Sequence, residues 1–245
     1  MKKRWFVVLC VAALLVLQPP DWMGSVSADA SVELPAEPKY VALTFDDGPH
    51  PEQTRRLLDG LLARETRATF FLVGEKLAGN EDLVLRMGRE GHQVGNHTWS
   101  HKSLQEAKGE AFQKEIRRVE EALEEILGKD GAWLRPPYGQ ITAAQMAQVD
   151  VPLVKWSVDP RDWESRNTAQ VVQAVLETVE PGSIILLHDI YPTSVEAALV
   201  LVDRLREQGY AFVTVEELLL RSGIEPQPGV MYRAAEGQIT SKGTG

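Results

Sequence analysis

Five side chains that could bind a metal ion or transfer protons lie in three short islands of this sequence. Asp46 and Asp47 lie in TFDDGP, His97 and His101 in NHTWSH, and His188 in LLHD. One carboxylate and two neutral imidazoles form a ligand set that suits a divalent ion such as zinc. A second carboxylate and a third imidazole beside such an ion suit a general base and a general acid. The three islands together indicate a metal-dependent hydrolase.

Each island also has an ordinary structural explanation. TFDDGP is the pattern of a strand followed by a turn, in which an aspartate caps the next helix. His97 and His101 are four residues apart, which brings both imidazoles to one side of a helix or tight loop; the alternative is two polar residues on a helix surface. For His188, which ends an apolar strand, the alternative is a hydrogen-bonded core histidine. His50, at a helix start, and His92, in a glycine-flanked turn, are assigned no chemical role.

Two further motifs supply polar groups that a site could use. In RPPYG, residues 135–139, the prolines stiffen the backbone, and the next free N–H groups are those of Tyr138 and Gly139. Such a turn can present an oxyanion donor beside a guanidinium that holds a carboxylate, and the alternative is a rigid surface turn with an exposed Arg135. DPRDW, residues 159–163, follows a predicted strand; its alternative is a polar loop with one buried tryptophan.

The elements that must position these islands alternate between strand and helix. This alternation predicts an α/β domain with a parallel sheet, and about seven strands over some 180 residues suit a barrel. Each island falls at the C-terminal end of a predicted strand, where the loops of such barrels build their sites. The predicted strands are residues 40–45, 67–73, 93–96, 133–134, 153–158, 183–187 and 211–215. The predicted helices are residues 51–64, 82–90, 110–127, 142–148, 168–178, 195–207 and 216–222.

The ends of the chain differ from this domain in composition. Residues 1–28 have a basic start, a short apolar run and small residues at the end, which predicts a secretory signal; an uncleaved anchor is the alternative. Cys10, the only cysteine, lies in that segment, so the mature chain has no thiol chemistry. We predict a linker at residues 29–38, the folded domain at 39–222, and a loose polar tail at 223–245.

Charge argues against some partners. The net charge of the 245-residue chain is −9, and removal of residues 1–28, with three basic residues and one aspartate, leaves it near −11. No nucleic acid partner is expected of such an acidic chain without a basic stripe, and a neutral or partly cationic substrate is easier to accommodate. We also expect no stable membrane span after signal cleavage, and the sequence does not predict an oligomeric state.

Together the five motifs resemble the polysaccharide deacetylase family, also called carbohydrate esterase family four or the NodB-homology domain. TFDDGP, HTWSH, RPPYG, DPRDW and LLHD occur in the order of that family, over about residues 40–220. The resemblance implies a distorted (β/α) barrel with its active site at the C-terminal strand ends. It also implies a divalent metal ion bound by Asp47, His97 and His101, with Zn2+ favoured and Co2+ or another transition metal as the alternative. Asp46 would be the general base, oriented by Arg135.

The resemblance assigns the remaining roles to the later motifs. His188 would be the general acid, and Asp159 would hold its imidazole. Trp163 and Leu186 would line the pocket for the acetyl methyl group. The backbone N–H of Tyr138 would stabilise the oxyanion.

The activity that the resemblance implies is hydrolysis of a carbon–nitrogen bond other than a peptide bond. The substrate would be an acetylated polysaccharide or oligosaccharide of the N-acetylglucosamine type, with peptidoglycan or a related surface glycan favoured and chitooligosaccharides next. The enzyme would act outside the cytoplasm, either secreted or associated with the cell envelope. The alternatives are an O-acetyl xylan esterase and a non-catalytic glycan-binding protein on the same fold.

Overall fold

The computed structural model describes residues 38–235 and the backbone of residues 239–240. The predicted signal and residues 29–37 of the predicted linker lie outside the described residues, as do residues 236–238 and 241–245 of the predicted tail. In the described part of the chain, none of the helices combines the length and apolar composition that a bilayer crossing requires.

The described residues form an α/β structure with a central parallel sheet, which confirms the predicted fold class. The strands are β1 (Lys39–Asp46), β2 (Thr69–Leu72), β3 (Gln93–Asn96), β4 (Leu153–Val154), β5 (Ile184–His188), β6 (Tyr210–Val213), β7 (Met231–Tyr232) and β8 (Ile239–Thr240). The helices are α1 (Gln53–Leu62), α2 (Glu81–Arg89), α3 (Glu110–Leu127), α4 (Ala143–Met146), α5 (Asp162–Ser165), α6 (Thr168–Thr178), α7 (Pro192–Glu207) and α8 (Val215–Arg221). Short 3-10 turns lie at Gly74–Lys76 and Pro137–Gly139.

The central sheet is built around β1. Its strand order is β3-β2-β1-β5, and β6 pairs with the first half of β1; all these pairings are parallel. The side chains of β1 are buried from Val41 to Asp46, as expected for a strand of a parallel sheet covered on both faces. Since the strands run the same way, their C-terminal ends meet at one edge of the sheet, and that edge carries the motifs.

Single bridges extend this sheet into a ring of pairings. Asn96 at the end of β3 bridges to Leu134, and Leu134 bridges to Leu153 of β4. Val158, which follows β4, bridges to Ile185 of β5, next to β1. The pairings therefore lead from β1 through β2, β3 and β4 to β5, consistent with a distorted barrel that is regular on one side only.

The predicted loose tail is wrong for residues 223–235. β7 pairs in parallel with β4, and its two side chains, Met231 and Tyr232, are buried. Ala235 is also buried, and its N–H donates to the carbonyl of Gly182. The apolar stretch at residues 230–232 is too short to show a period in the sequence. It becomes recognisable as a strand only from its pairing with β4.

Helix ends follow local sequence signals. Gly128 ends α3 in the left-handed conformation that glycine adopts without a steric penalty. Thr142 and Thr214 begin α4 and α8 with capping boxes, in which a threonine hydroxyl accepts from the third residue of the helix. The α5 turn was not predicted, because its four residues lie within the DPRDW motif and have no helical period.

Candidate active site and metal centre

Three of the predicted residues meet in a cluster that could hold a metal ion. Asp47, His97 and His101 each offer one ligand atom, and these atoms all lie within 4.8 Å of one another. Asp47 Oδ1 lies 3.0 Å from His101 Nε2 and 3.6 Å from His97 Nε2. Although His101 Nε2 is so close, Asp47 Oδ1 is buried with no hydrogen-bond partner of acceptable geometry. This carboxylate oxygen and the two imidazole nitrogens therefore point at a shared space.

The loops after β1 and β3 create this cluster by leaving the strands abruptly. Asp47 directly follows β1 with a φ of 72°, and Thr98 and His101 after β3 have φ values of 68° and 56°. The H-x-x-x-H spacing thus lies on an irregular loop and not on a helix. Asn96 supports that loop, because its side chain accepts from the Thr98 N–H and donates to the Ile116 carbonyl.

The protonation of the cluster fits a divalent ion. His97 Nδ1 lies 2.6 Å from the carbonyl oxygen of Arg135, so Nδ1 carries the proton and Nε2 keeps its lone pair for a ligand. Burial lowers the pKa of His97, which favours the neutral imidazole that a metal needs. Burial alone would raise the pKa of Asp47, but the facing imidazoles, His101 first, hold it below its usual value. One carboxylate and two imidazoles leave a fourth position for water or substrate, as catalytic zinc sites do.

Asp46 is held apart from this cluster by a buried arginine. Arg135 is fully buried, which excludes the exposed surface arginine of the alternative explanation. Its Nη1 donates to Asp46 Oδ1 and to Thr44 Oγ1 at 2.7 Å each, and its Nη2 donates to the carbonyl of Lys155. The other oxygen of Asp46, Oδ2, lies 3.6 Å from His97 Nε2. Asp46 is thus an oriented carboxylate beside the predicted metal ligands.

The carboxylate that holds His188 is Asp162, so the prediction of Asp159 is wrong. Asp162 Oδ1 lies 2.8 Å from His188 Nδ1, and Asp162 Oδ2 accepts from the backbone N–H of His188. Asp159 is exposed and accepts from the Arg161 N–H. The chain turns at Arg161, where φ is 54°, and thereby directs fully buried Asp162 inward. Both aspartates belong to DPRDW, and the sequence of this motif does not indicate which of them binds His188.

Asp162 also sets the charge of His188. Burial would lower the pKa of His188, but the hydrogen bond and negative charge of Asp162, helped by Asp46 and Asp47, raise it to about 9. At neutral pH the imidazole is therefore protonated, as a general acid must be before it acts.

These groups open into one pocket of about 360 Å3. Of the predicted site residues, Arg135 lies behind Asp46, and the others line the pocket: Asp46, Asp47, His97, His101, Tyr138, Asp159, Trp163, Leu186 and His188. Two lining aromatic residues were missed, Trp156 and Tyr191. Tyr191 follows the end of the predicted strand 183–187 by four residues, and that position could have indicated it. Trp156 lies inside the predicted strand 153–158, and it reaches the pocket because β4 ends at Val154.

The RPPYG turn borders the pocket through Tyr138 and leaves one backbone N–H unused among the described residues. Tyr138 has a φ of 60°, and among the hydrogen bonds of the described residues none uses its N–H as donor. The prediction of a free N–H at Gly139 is wrong, because this N–H donates to the Pro136 carbonyl within the turn. Only the Tyr138 N–H therefore remains available as an oxyanion donor.

Comparison with known proteins identifies the family of this fold and site. A family model described as polysaccharide deacetylase matches residues 33–150. The peptidoglycan-N-acetylglucosamine deacetylase of Bacillus cereus is 36% identical over 195 residues, which cover 76% of this chain and 91% of that protein. The chain belongs to the polysaccharide deacetylase family. TFDDGP, HTWSH and RPPYG lie within the residues that the family model matches.

Other relatives show how broad the family is. The peptidoglycan-N-acetylmuramic acid deacetylase PdaC of Bacillus subtilis is 40% identical over 180 residues, which are 74% of this chain and 38% of that protein, so the chain spans about two fifths of that relative's length. A family 4 acetyl xylan esterase from Clostridium thermocellum, solved in complex with a cobalt ion, matches with a TM-score of 0.75 and 33% identity, over 80% of this chain and 98% of that one. Family membership alone thus leaves the acetylated substrate open.

In this family member the turn after Asp47 leaves no room for a side chain at Gly48. A Cβ built on Gly48 would lie 2.5 Å from both carboxylate oxygens of Asp189, which is fully buried and accepts from the Thr54 hydroxyl. We expect Gly48→Ala to lower the free energy of unfolding by about 1–3 kcal/mol, because this overpacking displaces the turn. Denaturant unfolding measures the loss.

A double variant tests the cause of this loss. Adding Asp189→Ala to Gly48→Ala removes the clashing carboxylate, so the double variant should lose less stability than the two single changes added together. Strictly additive losses would contradict a clash between these two residues.

Proposed function

We propose that this chain is an extracytoplasmic, metal-dependent deacetylase that removes acetyl groups from N-acetylated sugars of bacterial cell-wall glycan, with peptidoglycan as the favoured substrate. One observation carries the proposal: a single pocket holds an Asp–His–His cluster, an arginine-bound carboxylate and an imidazole bound to a buried carboxylate. A non-catalytic glycan-binding protein would not need this combination of groups.

The names of the relatives support the choice of substrate. Two relatives described above are named for acetylated sugars of peptidoglycan, one for N-acetylglucosamine and one for N-acetylmuramic acid. Chitooligosaccharide deacetylases also match, including one from Bradyrhizobium that is 39% identical over 165 residues. The acetyl xylan esterase keeps O-deacetylation as the second candidate, because an acetyl group is common to all these substrates.

Asp47, His97 and His101 are the residues that would hold the metal ion. An ion bound there would act as a Lewis acid on the acetyl carbonyl and lower the pKa of an attacking water. Zn2+ is favoured, because one carboxylate and two imidazoles suit it, and Co2+ is the alternative.

Asp46 would act as the general base. Its Oδ1 is occupied by Arg135, so the carboxylate is fixed, and its Oδ2 is the oxygen on the side of the metal ligands. There it would accept the proton of the attacking water. Arg135 itself does not need to reach the substrate, since it is fully buried behind Asp46.

His188 and Tyr138 would serve the other side of the reaction. His188, kept protonated by Asp162, would give its Nε2 proton to the leaving amine. The Tyr138 N–H would donate to the carbonyl oxygen as its negative charge develops, and one such donor is commonly worth about 3 kcal/mol. Leu186 and Trp163 line the same pocket and would contact the acetyl methyl group.

The pH dependence of the reaction should change when Asp162 is neutralised. In Asp162→Asn the burial of His188 remains while the negative charge that raises its pKa is lost, so the pKa falls. The protonated form then disappears at lower pH, and the alkaline limb of the kcat profile should move down by more than about one pH unit. A bound divalent cation lowers this pKa in both proteins, so the profiles are compared with the same ion bound.

Asp159→Asn is the matched control for this measurement. It makes the same chemical change in the same motif, at an exposed carboxylate that forms no hydrogen bond or ion pair with His188. Its alkaline limb should stay in place. A larger shift in Asp159→Asn than in Asp162→Asn would return the supporting role to Asp159.

Acetate release measured across three substrates tests the proposal itself. Zinc-loaded protein is incubated with peptidoglycan, chitooligosaccharides and acetylxylan, and each rate is compared with that of chelator-treated protein. We expect metal-dependent release that is fastest from peptidoglycan. Fastest release from acetylxylan would favour the esterase, and no release from any substrate would favour the binding protein.

A further inference from the structure

Two cationic side chains stand side by side next to the pocket wall. In the parallel pairing of β4 with β7, Val154 is the partner of Tyr232, and the N–H of Lys155 donates to the Tyr232 carbonyl at 2.7 Å. Lys155 and Arg233 are therefore the next residues of the two strands. In a parallel pair, residues at equivalent positions project to the same face, which brings the two positive charges together.

These charges lack an anionic partner among the described residues. Neither Lys155 nor Arg233 has a carboxylate within the 4.0 Å of a salt bridge, and Arg233 Nε is buried without a hydrogen-bond partner. Burial, and then the charge of Arg233, lower the pKa of Lys155. Two adjacent like charges that are partly removed from water are unfavourable, and an anion bound between them would relieve that repulsion.

Lys155, one member of the pair, packs against the turn that carries the predicted oxyanion donor. A Cβ built on Gly139 would lie 2.5 Å from Lys155 Cε, 3.0 Å from Lys155 Nζ and 3.1 Å from the ring of Trp156. Trp156 and Tyr138, the neighbour of Gly139, both line the pocket. An anion bound at Lys155 would thus lie beside the turn and the indole that border the pocket.

A local anion site would be unexpected from the net charge of the chain. With a net charge of −9, the chain repels anions at long range. Composition alone therefore favoured a neutral or partly cationic substrate. A local pair of cations can reverse that preference at short range, since exposed charges beyond a Debye length of about 8 Å are largely screened at physiological salt.

We propose that Lys155 and Arg233 form an anion subsite that binds a carboxylate on the sugar next to the one being deacetylated. The inference rests on the proposed function, and it narrows the substrate to an N-acetylated glycan that carries carboxylates. A free lactyl ether group on the sugar supplies a carboxylate, and where a peptide is amide-linked to that group, the peptide's own carboxylates take its place. The guanidinium of Arg233 offers the paired donors that a carboxylate accepts, and Lys155 adds a second charge.

The variants are chosen to change charge and little else. Lys155→Met keeps an unbranched stem against Gly139 and removes the charge, Lys155→Arg keeps the charge, and Arg233→Gln neutralises its partner. Lys114→Met is the matched control, because Lys114 is an exposed residue of α3 outside the pocket lining. Thermal unfolding checks that all four proteins are folded.

Four glycans separate the sources of the effect. The first is a peptide-free tetrasaccharide of alternating N-acetylglucosamine and N-acetylmuramic acid, and the second is the same compound with its carboxylates methyl-esterified. The third is an N-acetylglucosamine tetramer, and the fourth is the first compound with its peptides attached. For each protein, kcat/KM for acetate release and the Kd for binding are measured at low and high salt.

We expect a preference of the unchanged protein for the carboxylate-bearing tetrasaccharide over its methyl ester. We express this preference as a ratio, either of the two kcat/KM values or of the two binding affinities. In Lys155→Met and Arg233→Gln the ratio should fall about tenfold, as for the loss of one charged hydrogen bond. Lys155→Arg should restore most of the ratio, Lys114→Met should leave it unchanged, and high salt should reduce it. In the fourth compound the peptide is joined to the lactyl carboxyl through an amide, so that carboxyl is no longer an anion. A preference over the methyl ester that is kept with peptides attached would assign the anion to the peptide, and one that is lost there would assign it to the lactyl group.

The measurements also separate this subsite from the proposed function. If the unchanged protein releases no acetate from any glycan but its Kd for the carboxylate form weakens in Lys155→Met, the proposed function fails and the subsite stands. If the ratios of Lys155→Met and Arg233→Gln match those of Lys114→Met, the subsite is overturned, whatever the rate of acetate release.

Discussion

The Asp46→Asn variant is expected to lower kcat for acetate release by about three orders of magnitude, within the range for loss of a general base. Asparagine has the size of aspartate and can still accept from Arg135, but it cannot take a proton from water. Because Asp46 is not one of the three predicted ligands, bound metal should remain at the level of the unchanged protein. Stopped acetate assays and metal analysis of the same sample measure both quantities.

A loss of stability accompanies this change and must be separated from it. Arg135 is fully buried, and Asp46 is its only carboxylate partner among the described residues, so Asp46→Asn leaves a buried charge without its counterion. Activity is therefore measured well below the unfolding temperature of the variant. Asp159→Asn, the same substitution at an exposed pocket carboxylate, should keep most of its activity. Normal kcat in folded Asp46→Asn would remove Asp46 from the role of base.

The Asp47→Ala variant is expected to weaken metal binding by more than about a hundredfold, since even changes to residues that only support a ligand cost 10–100-fold. Asp47 supplies the one carboxylate of the cluster and the charge that balances a divalent ion. The two remaining ligands are imidazoles, which bring no negative charge to the ion, and burial lowers the pKa of His97. Zinc titration with a competing chelator measures the affinity, and acetate release should fall with it.

An unrelated imidazole provides the control for this titration. His50 lies three residues after Asp47 in the chain, but its Nδ1 accepts from the N–H groups of Glu52 and Gln53 at the start of α1. His50→Gln should leave zinc affinity unchanged. Full metal content in Asp47→Ala, or equal losses in the two variants, would show that Asp47 is not a ligand.

Much of this site is predictable because strand ends carry it. Asp46 and His188 are the last residues of β1 and β5, and Asn96, just before His97, is the last residue of β3. An apolar run followed by polar residues reveals such a strand end, and parallel strands bring their ends to one edge. The grouping of the islands follows from these two facts without any knowledge of distances.

The parts that were not predictable depend on backbone turns and on contacts between distant segments. Asp162 replaces Asp159 as the partner of His188 because of one left-handed residue, Arg161, whose conformation the side-chain type does not reveal. The strand at Met231 exists because β4 offers it an edge, about 78 residues earlier in the chain. In both cases the deciding interaction is tertiary, and local patterns do not contain it.

We expect one divalent ion to bind to Asp47, His97 and His101 and to leave Asp46 and His188 free to transfer protons. Anomalous diffraction from crystals grown with zinc, recorded on both sides of the zinc absorption edge, tests it most directly. We predict one strong peak at about 2.0–2.2 Å from a carboxylate oxygen of Asp47 and from Nε2 of both histidines. A peak bound by Asp46 or His188, or no peak at this cluster in crystals that contain zinc elsewhere, would show that these three residues do not form the metal site.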